Sequence, residues 1–250
     1  DGSGIIEESV KTIKTHAFAG KQGLQELVIP SHITRIESYS FSYSNLQTIT
    51  FEEGSQLKEV PQGMFAGLAY LTEVILPYGL ISIGERAFEY CSSLTNVSIP
   101  DTVQSIGAYS FEHLENLQTV IIGENSQLQT IGGFAFEGCV SLTSIIVPAN
   151  ITSIGTWAFR DCKNLQTVTN YSSLTLTAGS TDNGYVACYA TQVFTIDAQT
   201  QTLTAFSGSV TEVSIPDGIL VVGERTFESY AGLEKLSLPS SLISIESYAF

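Results

Sequence analysis

The most reactive side chains in this 250-residue sequence are four cysteines, and three of them, Cys91, Cys139 and Cys162, each stand three residues after a phenylalanine. A shared position argues for a shared packing role, that of a small buried hydrophobe. Disulfide pairing is the weaker reading. Cys91 and Cys139 are two repeats apart, about 10 Å at strand spacing, which is too far to bond. Cys139 and Cys162 fall on adjacent repeats, where a bond is conceivable, but other repeats carry Leu68, Leu114 or Tyr230 at that place. Cys188 stands alone. His16, His32 and His113 occupy unrelated positions, and neither a His-Glu-x-x-His nor a Cys-x-x-Cys pair occurs, so no metal site is expected. Asp182-Asn183-Gly184 resembles the opening of a calcium loop but lacks its further acidic positions, and it reads as a turn. The chain has no Gly-x-Ser-x-Gly nucleophile turn and no Gly-x-x-x-x-Gly-Lys phosphate loop. No histidine is placed by the pattern to serve the many Ser and Thr as a base. No catalytic residue and no cofactor is therefore expected.

Binding chemistry remains. Arg86, Tyr109, Phe134 and Trp157 each lie two residues before a phenylalanine of the same series. Stacked at a spacing near 4.8 Å, they would form a platform for a sugar ring or a hot spot for a protein. The competing reading is an aromatic ladder that packs on itself for stability. A second candidate surface is a face of small, mostly uncharged side chains: Thr48 and Thr50, Asn96 and Ser98, Thr119 and Ile121, Ser144 and Ile146, Thr167 and Thr169.

Both surfaces depend on a repeat. Phenylalanines recur at 18, 41, 65, 88, 111, 136, 159, 227 and 250, nine of the thirteen in the chain. Five residues before each stands Ile or Val, and eight before stands Val, Ile or Leu. Five or six after comes a Leu that opens a Leu-x-x-(Val/Ile/Leu)-x-(Ile/Leu) segment. Alternation at Val97 and Ile99 is period two, so this segment is a short strand with Asn96 and Ser98 outward. Pro follows the strand at 30, 77, 100, 148, 216 and 239 and ends it. The Ile-Gly-x-x-Ala-Phe piece, as at Ile83 to Phe88, reads as a second extended bit entering a short helical turn that carries Phe inward. One such coil cannot bury its own apolar edge, whereas a stack makes the Phe, Leu and Ile rows continuous.

The pattern Leu80-x-x-Ile83-Gly84-x-x-Ala87-Phe88-x-x-Cys91-x-x-Leu94-x-x-Val97-x-Ile99-Pro100, nearly repeated from Ile151 to Val168, resembles the leucine-rich repeat of the BspA-like type. The resemblance covers about 1–170 and 208–250. It implies a mainly β leucine-rich-repeat solenoid, a right-handed coil of short parallel strands with short helical or 3-10 turns; a parallel β-helix is the alternative. It further implies a secreted or cell-surface protein that adheres to a protein or glycan on another cell or matrix. Met64 before Phe65, and Asn170 where the strand should close on an aliphatic, depart from the pattern.

The organisation expected is coils over 1–169, an irregular insert over 170–209 packed on the solenoid, and further coils over 210–250. Within the insert, Gly184 to Thr191 reads as a short helix. Phe194 and Ile196, then Leu203 and Phe206, read as a hairpin. The repeat reaches Phe250 in mid-coil, so further chain or a second molecule is expected to cover that end, with end-to-end self-association as one outcome. Lys plus Arg is 10 against 25 Asp plus Glu, a net charge of −15, which opposes nucleic-acid and anionic-membrane partners. No apolar run is long enough to insert in a bilayer. A non-binding spacer of a larger surface protein is the second functional reading, and an enzyme built on 171–207 the third.

Overall fold

The structure, a computed structural model, describes residues 3–4 and 6–250. Each coil contributes two short strands to two walls of a solenoid. The leucine segments form the first wall, for example Asn96–Ile99, Thr119–Ile122, Ser144–Val147 and Thr167–Asn170. They pair in parallel at one coil per step, Thr119 opposite Asn96 and Thr167 opposite Ser144. Alternation does what period two requires: Val97 and Ile99 are buried while Asn96 and Ser98 are exposed. The two-residue strands Glu59–Val60, Ser82–Ile83, Ser105–Ile106, Thr130–Ile131 and Ser153–Ile154 form the second wall, again parallel. Gly132 and Gly155 follow this wall where coils nearly touch. A Cβ on either would stand 2.5 or 2.4 Å from a backbone nitrogen of the preceding coil, so only glycine fits.

Between the walls the ladder phenylalanines stack. Phe65, Phe88, Phe111, Phe136 and Phe159 are fully buried, with successive ring centroids 4.9 to 5.1 Å apart.

The turn that carries each Phe inward is not the expected helical one. It is a third wall in which the residues two before and two after Phe take φ near +60°, among them Arg86, Tyr90, Tyr109, His113, Phe134 and Trp157. The left-handed region costs a non-glycine residue roughly 1–2 kcal/mol. It is held here because it turns alternate N–H groups to the next coil. Tyr109, Phe111 and His113 donate to the carbonyls of Gly133, Ala135 and Glu137 at 3.0, 2.7 and 2.8 Å.

After Thr167–Asn170 the plan changes, and Asn170 is the pivot. It is buried, its amide donates to Leu174 O at 2.9 Å, and its Oδ1 accepts from Ser172 N and Oγ at 3.0 and 2.7 Å. The side chain thereby bends its own backbone out of the strand. The short helix expected over 184–191 is not formed. The chain makes one 3-10 turn, Asn183–Tyr185, with Gly184 at φ +67°, followed by further turns that bury Val186, Ala187 and Ala190. Gly184 O accepts the Phe159 N–H at 2.8 Å, standing in for the missing coil.

The expected hairpin is present as Gln192–Asp197 and Thr202–Gly208, antiparallel. It is not laid against the solenoid but inserted into its sheet. Gln192–Asp197 pairs in parallel with Thr167–Asn170, and Thr202–Leu203 with Val221–Val222. Register puts Val193 beside inward-facing Val168, and Phe194 beside outward-facing Thr169. Both Val193 and Phe194 are buried. Val193 belongs to the first core, whereas Phe194 and Ile196 join Leu203, Ile215, Val222 and Phe227 in a second. The strand thus divides two cores, and the coils after 210 stack on the face that is outward in the first array.

Candidate functional site

The third wall places Arg86, Tyr109, Phe134 and Trp157 in one row, as their spacing requires. The Arg86 guanidinium carbon lies 4.3 Å from the Tyr109 ring centroid, Tyr109 stacks on Phe134 at 4.7 Å, and Phe134 meets Trp157 edge-on at 5.1 Å. Arg160 closes the row over Trp157 at 5.0 Å. Each ring is largely covered by its neighbours. Arg86, Tyr109 and Phe134 are half-buried, and Trp157 alone of the four is exposed, at 39%. The row is a self-stacked ladder between two arginines, with Trp157 its most exposed ring.

Sequence reading missed the column beside it. One residue after Phe88, Phe111, Phe136 and Phe159 stand Glu89, Glu112, Glu137 and Arg160, three carboxylates on successive coils and then an arginine. Glu89 and Glu112 are buried. Arg86 Nη1 pairs with Glu89, and Arg160 Nε lies 3.5 Å from Glu137 Oε1. Glu112, in the middle, forms one ion pair among the described residues, with His113 Nε2 at 4.0 Å. Burial, a hydrogen bond with Glu89 and the charges of Glu89 and Glu137 push its carboxyl up to about 7, against the opposing pull of Arg86. Reading each repeat position down the chain, rather than along it, would have found this column.

The first wall carries the other surface. Asn96, Ser98, Thr119, Ile121, Ser144 and Ile146 are exposed, and Thr48, Thr50, Thr167 and Thr169 half-buried. In the outer column, Val28, Ile121 and Ile146 stand 49, 52 and 40% exposed on paired strands, and Ile75, just past the strand Glu73–Val74, stands 58% exposed. The column runs toward Phe194, where the second core begins.

The remaining reactive side chains are engaged in packing or turns. Cys91, Cys139 and Cys162 are free and buried, each thiol 3.1 Å from the carbonyl oxygen of Phe65, Phe111 or Phe136 in the coil before. Burial raises all three thiols, Cys162 to about 12. A thiol reagent should therefore modify half-exposed Cys188 first in the native protein, with the other three about 100-fold slower or more. Mass spectrometry of the labelled chain checks this, and prompt labelling of Cys139 would contradict the packing role. His16 stacks on Tyr39 at 5.7 Å and His113 on Tyr90 at 5.1 Å. Asp182 exchanges hydrogen bonds with the Ser180 hydroxyl, as a turn does. Among the described residues, no three His, Cys, Asp or Glu are grouped to hold a metal, and no helix is long and apolar enough to cross a membrane.

The chain is similar to a leucine-rich cell surface protein of Faecalibacterium prausnitzii A2-165, at 28% identity and a TM-score of 0.61 over 96% of this chain. It spans 62% of that protein's length. It is also similar to the leucine-rich repeat protein of T. pallidum, at 24% identity and a TM-score of 0.49, over 70% of this chain and 75% of that one. No curated protein matches. The BspA-type leucine-rich repeat region matches six times, across residues 3–96, 81–181 and 201–250. With a solenoid of stacked parallel strands under that match, the chain belongs to the BspA-type leucine-rich repeat family.

Proposed function

We propose that this chain is the contact region of a secreted or cell-surface protein, and that it binds a protein or glycan on another cell or matrix through the outer face of the first wall. The observation that carries the reading is the column of exposed Val28, Ile75, Ile121 and Ile146 along a wall whose other side is a packed core. Branched apolar side chains on a rigid sheet lose little freedom on binding. The Thr, Ser and Asn side chains between them offer hydrogen bonds to peptide or sugar. Likeness to a surface protein of F. prausnitzii supports the location. The stacked row from Arg86 to Trp157 is the weaker contact, because its rings already cover one another. Binding rather than catalysis is the role this surface suits.

The test is an array of matrix glycoproteins and glycans probed at physiological salt. The Ile121→Asp, Ile146→Asp pair should weaken a hit at least about tenfold, and the Tyr109→Ala, Trp157→Ala pair should change it less than about threefold. The reverse pattern would move the contact to the third wall. Silence across the array would favour the spacer reading.

A further inference from the structure

A groove of about 280 Å³ opens where the second array stacks on the outward side of the first. Its origin is the inserted hairpin. The strand Gln192–Asp197 has six residues against four in its neighbour Thr167–Asn170, so it runs past the sheet margin by about 7 Å at 3.3 Å per residue. Its turn, Ala198 and Gln201, forms one side. Ile146 of the first wall, Pro148 just after that strand and Tyr171 are in the lining. The turn is held rigid, because Asp197 Oδ1 accepts the N–H groups of Gln199 and Thr200 at 2.8 and 3.0 Å and Gln201 Nε2 donates to Ala198 O at 2.9 Å.

The electrostatics of this groove are one-sided. Glu124 and Asp217 both belong to the lining, which contains no Lys, Arg or His. The Asp101 carboxylate lies over lining residue Gly123, in the space a Cβ there would need. Among the described residues, the ion pairs formed use none of these three acids. Burial and the Glu124 charge raise the Tyr171 hydroxyl, which keeps it a neutral donor and acceptor. A site of this volume is below the usual range for small-molecule pockets, about 300–1,000 Å³, and suits one long side chain. An apolar lining that also carries carboxylates matches an aliphatic stem that ends in a cation.

We propose that the groove receives the side chain of an arginine or lysine from a partner polypeptide laid across the outer face of the first wall, with Glu124 and Asp217 as its counter-ions. The inference rests on the outer-face reading, since Ile146 belongs to both surfaces, and it adds the class of partner: a polypeptide carrying a basic anchor. The acidic protein would also draw such a partner in at long range.

The test uses the full chain and N-acetyl-arginine methylamide, titrated by two-dimensional NMR beside its neutral citrulline analogue. Amides of Gly123, Ala149, Tyr171 and Asp217 should shift together and saturate. The citrulline compound should bind at least about tenfold more weakly, and the E124Q/D217N variant should lose arginine binding at least about tenfold with its remaining spectrum unchanged. Equal response to both compounds would overturn the proposal, as would retention in E124Q/D217N or shifts scattered over other acidic surfaces. Calcium chloride shifting the same amides while arginine does not would replace the basic side chain with a metal. If an array partner is lost on Ile121→Asp yet the arginine compound does not bind, this proposal fails and the outer-face reading stands. If the compound binds while the array is silent, the reverse holds.

Discussion

Phe111→Ala should destabilise the protein by about 3–5 kcal/mol, among the largest losses any single truncation in this chain will give. The ring is fully buried between Phe88 and Phe136, 5.1 Å from each and within 4 and 7° of parallel. Removing it leaves a cavity in the middle of the stack and ends two ring contacts at once. Because each coil touches only its neighbours, the coupling between coils on either side is weakened together. Phe18→Ala is the control. Phe18 is half-buried and has one stacked neighbour, Phe41 at 5.3 Å, so the cost there should be about 1–2 kcal/mol. Urea unfolding of both variants measures the difference. Equal shifts in midpoint would show that the ladder does not carry the coupling assigned to it.

Stability should fall as pH rises from about 5 to 8, and Glu112→Gln should remove most of that fall. The sign follows from the raised carboxyl. Folded Glu112 holds its proton up to about 7, where the unfolded chain releases it near 4.5. The folded state therefore binds the extra proton between these values, so the stabilisation is complete below about 4.5 and lost as pH passes 7. Ionisation then sets three carboxylates on successive coils, with Arg86 and Arg160 at the outer two. The loss is of the order of 2 kcal/mol, and Glu112→Gln, which keeps the hydrogen bond to Glu89, should be the more stable protein at pH 8. Glu37 works in a different window. Hydrogen bonds from Lys14 and Thr15 hold its carboxyl down at about 2, so its contribution is lost as pH falls from about 4.5 through 2. Denaturant midpoints across pH 3 to 9 separate the two. An unchanged slope between pH 5 and 8 in Glu112→Gln would refute the role given to this carboxylate.

The walls and the Phe ladder could be read in advance because each repeats one residue type at one spacing, and burial of Val97, Ile99 and Phe88 follows from period and composition alone. The third wall could not. Its left-handed positions are filled by Tyr, His, Arg, Trp and Phe as well as Gly, so no glycine signal marks them; the geometry comes from hydrogen bonds to a coil some twenty-three residues away. The helix expected over 184–191 rested on Val186 and Ala190 at helical spacing. That pair is buried by turns instead, because Gly184 must take positive φ to fit against Gly155 O, 2.4 Å from where its Cβ would be. The hairpin itself was visible, but its place was not. Adjacent apolar residues Val193 and Phe194 were the sign of a strand buried on both faces, and the groove beside Ile146 exists only because of that second face.

The third wall is also an electrically directed column within the solenoid. In coil after coil, from Phe18 to Ser40, Tyr39 to Gln62, Arg86 to Ala108 and Phe134 to Thr156, the N–H belongs to the earlier coil and the carbonyl to the later one. Parallel strands alternate the sense of their bonds, but these peptide dipoles are aligned along the stacking axis and add, as they do in a helix. The hydrogen-bearing pole points toward the later coils. Two such columns extend one another only head to tail, donors meeting carbonyls, and oppose any head-to-head arrangement.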